Sequence, residues 1–122
     1  MKLHATLPGG VNAITGYGEG YVMVNGERRE SSTIVTPEQI LPWQARKFQD
    51  LKEEDFKPLT ELGADIVLLG TGPRQRFPHP RLTAALGAAR IGLEVMDSKA
   101  ACRTYNILVA EERKVALALL FG

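Results

Sequence analysis

The sequence predicts an α/β fold whose second half is built on parallel strands, and three observations carry the prediction. Residues 66–69 are uniformly apolar and lead into Gly70-Thr71-Gly72, a pattern typical of a buried strand that ends in a small-residue loop. Residues 115–121 are nearly all apolar, as expected of a strand that is buried on both faces. The segments between these runs have helical periodicity, and crossovers of that length join parallel strands.

The first third of the chain predicts a β-hairpin layer. Asn25-Gly26 is a strong hairpin signal, because both central residues of a type I′ turn need a positive φ. Tyr21–Val24 is therefore expected to pair with residues 28–35. The glycine-rich residues 16–20 lack the spacing of a phosphate-binding loop that precedes a helix, and a turn or bulge between short strands is favoured.

The middle of the chain predicts one edge strand and one helix. Residues 40–43 suit an edge strand, since Pro42 cannot donate to a β-ladder. Trp43, the only tryptophan, is interpreted as a core or lid aromatic rather than a ligand-stacking one. Residues 53–62 carry acids at their start and apolar residues on one face, which indicates a helix, and Gly63 is a plausible stop.

The remaining elements complete the order strand, helix, strand, helix, strand. Residues 80–90 place apolar residues at helical spacing, and Gly92–Met96 follows as a short strand. Asp97 is positioned to cap the next helix. That helix is expected to bury one apolar face, which consists of Ala101, Tyr105, Leu108 and Val109. Because the two preceding strands should be parallel, their carboxyl ends are expected to lie side by side.

The loop at those strand ends is the candidate site. Its glycines would let backbone N–H groups approach a ligand, and Arg74 and Arg76 follow, so the cleft could hold a small anion. The alternative is that the glycines only satisfy turn geometry and the arginines are solvated. For Asn106, a bond to a neighbouring backbone group is favoured over a place in the cleft. The predicted ligand-binding residues are Gly70, Thr71, Gly72, Arg74, Asp97 and Asn106.

The sequence offers no catalytic or metal constellation. Cys102 would need a general base to act as a nucleophile, and the only histidines, His4 and His79, do not stand in a Cys-His context. Cys102 is therefore expected to be structural. Histidine, cysteine and carboxylate residues do not cluster at metal-ligand spacing. No catalytic residue, metal or cofactor is predicted, and enzymatic activity is disfavoured.

Length and charge are those of an ordinary soluble protein. The 122 residues are expected to form a single domain, 1–122, with a core that needs no covalent staples. The net charge of +1 argues against nucleic acid as a partner. No run approaches the roughly 20 apolar residues that span a bilayer, so no membrane span is predicted. A lone cysteine excludes an intramolecular disulfide, and a cytoplasmic location is expected.

The chain resembles the Mth-type domain family, a group of small α/β domains of undefined biochemistry that includes the relatives of mitochondrial complex I assembly factor 3 and of the adipogenesis-associated Mth-type domain protein. The segments that carry the resemblance are residues 66–72, 92–97 and 101–108, together with residues 40–43. The resemblance implies a three-layer fold with a mixed, largely parallel central sheet and an N-terminal β-hairpin layer. It also implies a pocket near residues 70–72, Asp97 and Asn106.

For function, the resemblance implies an accessory or assembly role exercised through protein partners, and this interpretation is favoured. The alternative is a small-molecule or anion-binding protein, or a weak enzyme, that uses the cleft at the strand ends. Polar residues that converge on a void would favour the alternative, whereas polar residues that bond one another would favour a partner-binding role. Residues 1–4 show neither a signal core nor a mitochondrial targeting segment, which predicts a bacterial-type member.

Overall fold

Two β-sheets organise residues 9–121, the part of the chain that the computed structural model describes; the interpretation of residues 1–4 lies outside it. The smaller sheet is antiparallel and consists of β1 (Ile14–Gly18), β2 (Tyr21–Val24) and β3 (Glu27–Arg29). The larger sheet consists of β4 (Thr33–Val35), β5 (Ile40–Pro42), β6 (Ile66–Thr71), β7 (Gly92–Met96) and β8 (Val115–Leu120). Its strands lie in the order β5-β4-β8-β6-β7.

The larger sheet is mixed. Strand β6 pairs in parallel with both β7 and β8, whereas β4 pairs antiparallel with both β5 and β8. The crossovers from β6 to β7 and from β7 to β8 contain helices, which is the connection that parallel neighbours require. The predicted α/β class with a mixed central sheet is confirmed.

The strand β8 shows how the layers are held together. All six of its residues are buried, and they alternate between two hydrophobic clusters on opposite faces of the sheet. Val115, Leu117 and Leu119 pack with the smaller sheet and the helix that follows β7, whereas Ala116, Ala118 and Leu120 pack toward the helices that precede β6 and β7. Burying a leucine in this way stabilises the fold by roughly 1.5–3 kcal/mol. The fold therefore has three layers, as the resemblance implied.

The helices are α1 (Glu53–Phe56), α2 (Ala84–Ala88) and α3 (Ser98–Ala110), with 3₁₀ turns at Phe48–Asp50, Lys57–Glu61 and Pro80–Thr83. Residues 53–62 and 80–90, each predicted as one helix, are helical over most of their length, but each combines a short α-helix with a 3₁₀ turn. Pro58 lacks an N–H to donate in an α-helical ladder, and α1 gives way to a 3₁₀ turn at Lys57. Gly63 has φ +70° and ends this segment, as predicted.

The hairpin turn is confirmed, but the extent of its second strand was predicted wrongly. Asn25 has φ +53° and Gly26 has φ +82°, as a type I′ turn requires. The strand that pairs with β2 ends at Arg29 instead of continuing to residue 35. Strand β4 crosses to the larger sheet, because its three consecutive buried residues need cover on both faces.

The interpretation of residues 16–20 as turn and bulge is confirmed. The register between β1 and β2 shifts between Ile14 and Gly16, and Gly20 has φ +73° in the turn that follows β1. Strand β5 forms one edge of the larger sheet, as predicted. Trp43 is a core aromatic whose Nε1 donates to the carbonyl oxygen of Asp55 at 2.8 Å.

Candidate functional site

The loop after β6 and the start of α3 come together as the parallel arrangement predicted, and Ser98 joins them. The backbone N–H of Ser98 donates to Gly72 O at 2.9 Å, and its Oγ accepts from the Gly72 N–H at 2.8 Å. The same hydroxyl donates to Leu120 O at 2.8 Å. One serine therefore ties the loop, the helix start and the end of β8, although sequence reasoning did not include it among the site residues.

Thr71 turns its hydroxyl into the loop itself. Its Oγ1 donates to Arg74 O at 2.7 Å, lies 3.3 Å from Met96 O and accepts from the Arg76 N–H at 3.1 Å. The Thr71 side chain is fully buried, whereas residue Arg74 is exposed. The hydroxyl group stabilises the turn by bonding backbone groups of the loop and of β7.

Asp97 immediately precedes α3 and Asn106 lies within it, and their side chains bond different neighbours. Asp97 is the N-cap residue, and its Oδ1 accepts from the Ala100 N–H at 2.9 Å, as predicted for a cap. Asn106 is buried, with Oδ1 accepting from the Ile14 N–H at 3.0 Å and Nδ2 donating to Ile14 O at 2.8 Å. Asn106 thus clamps the smaller sheet onto α3. Ligand binding by either residue stays a prediction.

A cleft of about 350 Å³ adjoins the candidate loop. It lies between the β1–β2 turn, the residues after β6, the first turn of α3 and the end of β8. Of the predicted site residues, Gly72 alone lines it. The side chains that give the cleft its chemical character are those of Tyr17, Glu19, Tyr21, Lys99 and Cys102. The two tyrosines reach this place through the packing of the smaller sheet on α3, which no local sequence signal indicates.

Cys102 lies at the buried side of this cleft and is 1% exposed. Burial raises the pKa of its thiol to about 12; the Arg103 guanidinium partly offsets the rise, and the Asp97 carboxylate adds to it. Burial also raises the pKa of the Tyr105 phenol. At neutral pH the thiol is therefore protonated, which is unfavourable for a nucleophile.

We expect Cys102 to react slowly with iodoacetamide at pH 7.5, at least tenfold more slowly in the folded chain than in urea. The unfolded thiol ionises near pKa 9 and the folded thiol near 12, so the unfolded state loses its proton first as the pH rises. The thiol should therefore lower the free energy of unfolding by up to about 1.4 kcal/mol per pH unit above pH 9. Urea titrations of Cys102→Ala should lack this part of the slope. Rapid labelling of the native chain would contradict the assignment.

Neither a metal-binding cluster nor a membrane-spanning helix occurs in the part of the chain that the structure describes. Within residues 9–121, His, Cys, Asp and Glu side chains form no group of three that could share a metal ion. None of the helices between these limits has the length and apolar character that crossing a membrane requires.

Known structures that are similar to this chain define its class of protein. A solution structure from Bordetella pertussis, described as a Mth938-like domain, superposes with a TM-score of 0.83 at 32% identity and covers 100% of this chain and 94% of that one. A crystal structure from Bordetella parapertussis has a TM-score of 0.87 at 37% identity, covering 93% and 98%. The family described as "Protein of unknown function (DUF498/DUF598)" matches residues 14–120. The chain belongs to this family, and its fold is Mth938-like.

Two relatives have names that bear on function. The bovine protein named NADH dehydrogenase (ubiquinone) 1 alpha subcomplex assembly factor 3 is 32% identical over 109 residues, which are 88% of this chain and 59% of that relative. The chain therefore spans less than two thirds of that relative's length. A protein of Francisella tularensis subsp. holarctica named 13 kDa major membrane protein is 27% identical over 106 residues, covering 85% and 86%.

Proposed function

We propose that this protein is an accessory or assembly-type factor that acts by binding a protein partner. The observation that carries the proposal is that polar groups of the predicted site residues bond within the fold: the Thr71 hydroxyl to the loop, Gly72 to Ser98, and the Asn106 amide to Ile14. Donors and acceptors that are satisfied in this way have little left to offer a ligand. The bovine relative is named an assembly factor, which supports the same role.

Exposed apolar side chains offer a protein partner a surface to bind. Phe77 is 71% exposed and Ile107 is 57% exposed, and both lie outside the cleft. Aromatic side chains are enriched at protein interfaces and often supply much of the binding energy there. The chain therefore presents large apolar groups to a partner, whereas Thr71, Gly72 and Asn106 bond within the fold.

We propose that the protein works in the cytoplasm of a bacterium. We also propose that residues 1–122 form one α/β domain. Bacterial proteins from two Bordetella species share the fold at more than 30% identity, which supports a bacterial source. The Francisella relative is named a membrane protein, so the location needs its own test. Fractionation of the native cell should leave the chain in the soluble fraction, and recovery with the membranes after a high-salt wash would contradict the cytoplasmic setting.

Native mass spectrometry of the tagged full chain, purified gently from the native cell, tests partner binding against the small-ligand alternative. We expect a species heavier than the 13.4 kDa chain that releases a second protein on activation. Purification at 50 mM phosphate should leave that species intact, because the partner does not occupy an anion site. Recovery of the bare chain, or of the chain with a small-molecule adduct, would contradict the proposal.

A further inference from the structure

The strand β7 leaves one side of its backbone open. It is the edge strand of the larger sheet and pairs only with β6 among the described strands. The Gly92 N–H donates to Asp65 O on the β6 side, and backbone groups alternate along a strand, so the N–H and C=O of Leu93 and Val95 point outward. Among residues 9–121, these four groups have one hydrogen bond, from Gln75 Nε2 to Val95 O at 2.8 Å. An open edge of this kind is a template for another strand.

The loop that follows β6 lies beside this edge and presents an aromatic side chain. The Gln75 amide reaches Val95, whereas the next residue, Arg76, turns back and stacks over the Phe48 ring at 4.7 Å. Phe77 then projects into solvent with 71% of its surface exposed. A partner strand on β7 could take the place of the Gln75 amide at Val95 O, and Phe77 stands two residues further along the loop.

Charge distinguishes the possible occupants of the edge. Residues 66–93 contain four arginines and no acid. Arg74 and Arg90, which flank the two ends of β7, are exposed and make no ion pair among the described residues. A second copy of this chain is disfavoured, because the antiparallel register that pairs Leu93 with Val95 would set Glu94 directly opposite Glu94 of that copy, and like charges in that position destabilise a pair.

We propose that the β7 edge accepts an extended, acidic segment of a partner protein, which adds to the larger sheet as a further strand and is anchored by Phe77. Main-chain hydrogen bonds to Leu93 and Val95 supply the register, and the flanking arginines select carboxylates on the partner. This inference rests on the proposed function and specifies the kind of partner and the surface that it meets.

Photo-crosslinking in the native cell distinguishes two outcomes: the proposed binding surface is wrong, or the proposed partner-binding function is wrong. Benzoylphenylalanine is placed at Arg74 or Phe77 beside the edge, and at Glu38 or Ile107 as controls on exposed positions elsewhere. We expect positions 74 and 77 to crosslink one protein, at a segment that is acidic and lacks helix. A partner crosslinked only from positions 38 or 107 would overturn the inference and leave the proposed function standing. No crosslink from any of the four positions would contradict both.

A synthetic peptide with the sequence of the crosslinked segment then tests strand addition in the full-length protein. We expect amide hydrogen exchange at Leu93 and Val95 to slow at least tenfold on binding, while the Glu94 amide, already bonded toward β6, changes little. Phe77→Ala and Arg74→Glu should each weaken binding about tenfold. Arg113→Glu, the same charge change beside β8, should not. Binding without protection of Leu93 and Val95, or equal weakening by Arg113→Glu, would overturn the inference.

Discussion

Replacing Asn106 with alanine is expected to lower the free energy of unfolding by about 3 kcal/mol, because the change leaves two buried backbone groups without hydrogen-bond partners. The amide bonds both the N–H and the C=O of Ile14, which is 1% exposed, and no water can reach these groups easily once the side chain is gone. Urea denaturation measures the loss. Gln39→Ala, which shortens an exposed amide, is the matched control and should change stability by no more than about 0.5 kcal/mol.

In the variant Asn106→Asp, a change of pH separates the contributions of the hydrogen bonds to the Ile14 N–H and to Ile14 O. A carboxylate keeps the acceptor for the Ile14 N–H but cannot donate to Ile14 O, whereas a protonated carboxyl group can do both. Burial should raise the pKa of this carboxyl in the folded state, so its stabilising contribution is present at low pH and is lost as the pH rises through that pKa. The deficit relative to the natural protein should therefore be larger at pH 7 than at pH 4. Equal stability of Asn106→Ala and its control would contradict the clamp.

Elements defined by local rules were predictable from the sequence. Gly92–Met96 and Tyr21–Val24 have the predicted bounds, because apolar patterning, an Asn-Gly turn and an Asp cap act within a few residues. The destination of Thr33–Val35 was not predictable in this way. Nothing in that segment shows that it pairs with β8, because the residues with which it pairs stand more than 80 positions later in the chain. Tertiary pairing overrode the local hairpin signal.

In the candidate site, too, some features were predictable from the sequence and others were not. Parallel strands bring the loop at residues 70–72 to Asp97, and that juxtaposition followed from topology alone. The partner of Asn106 lies 92 residues away, so the amide's use as a clamp depends on how the smaller sheet packs on α3. Ser98 follows Asp97 and lies beside the loop for the same topological reason, but the bonds of its hydroxyl to Gly72 and Leu120 depend on side-chain packing and were not predicted.

Replacing Gly70 with alanine is expected to have the second large effect on stability. The substitution tests whether close packing requires a glycine at position 70. A Cβ at position 70 would lie 2.7 Å from Leu119 Cδ2 and 3.0 Å from both Cα and Oγ of Ser98. Leu119 is fully buried and Ser98 is held by its bonds to the loop and to β8, so neither can move away freely. We expect Gly70→Ala to destabilise the fold by roughly 1–3 kcal/mol, as overpacking of a close-packed core does.

Gly87→Ala is the matched control for Gly70→Ala. Gly87 lies within α2, a Cβ at this position would meet no heavy atom within 4 Å, and its φ is not positive. Alanine there should stabilise the protein by about 0.5–1 kcal/mol, because it restricts the unfolded chain without crowding the folded one. The two substitutions add the same methyl group, so opposite signs in parallel urea titrations would assign the cost at position 70 to contact with Leu119 and Ser98. A neutral Gly70→Ala would show that α3 shifts to admit the methyl group, and the case for a packing role would fail.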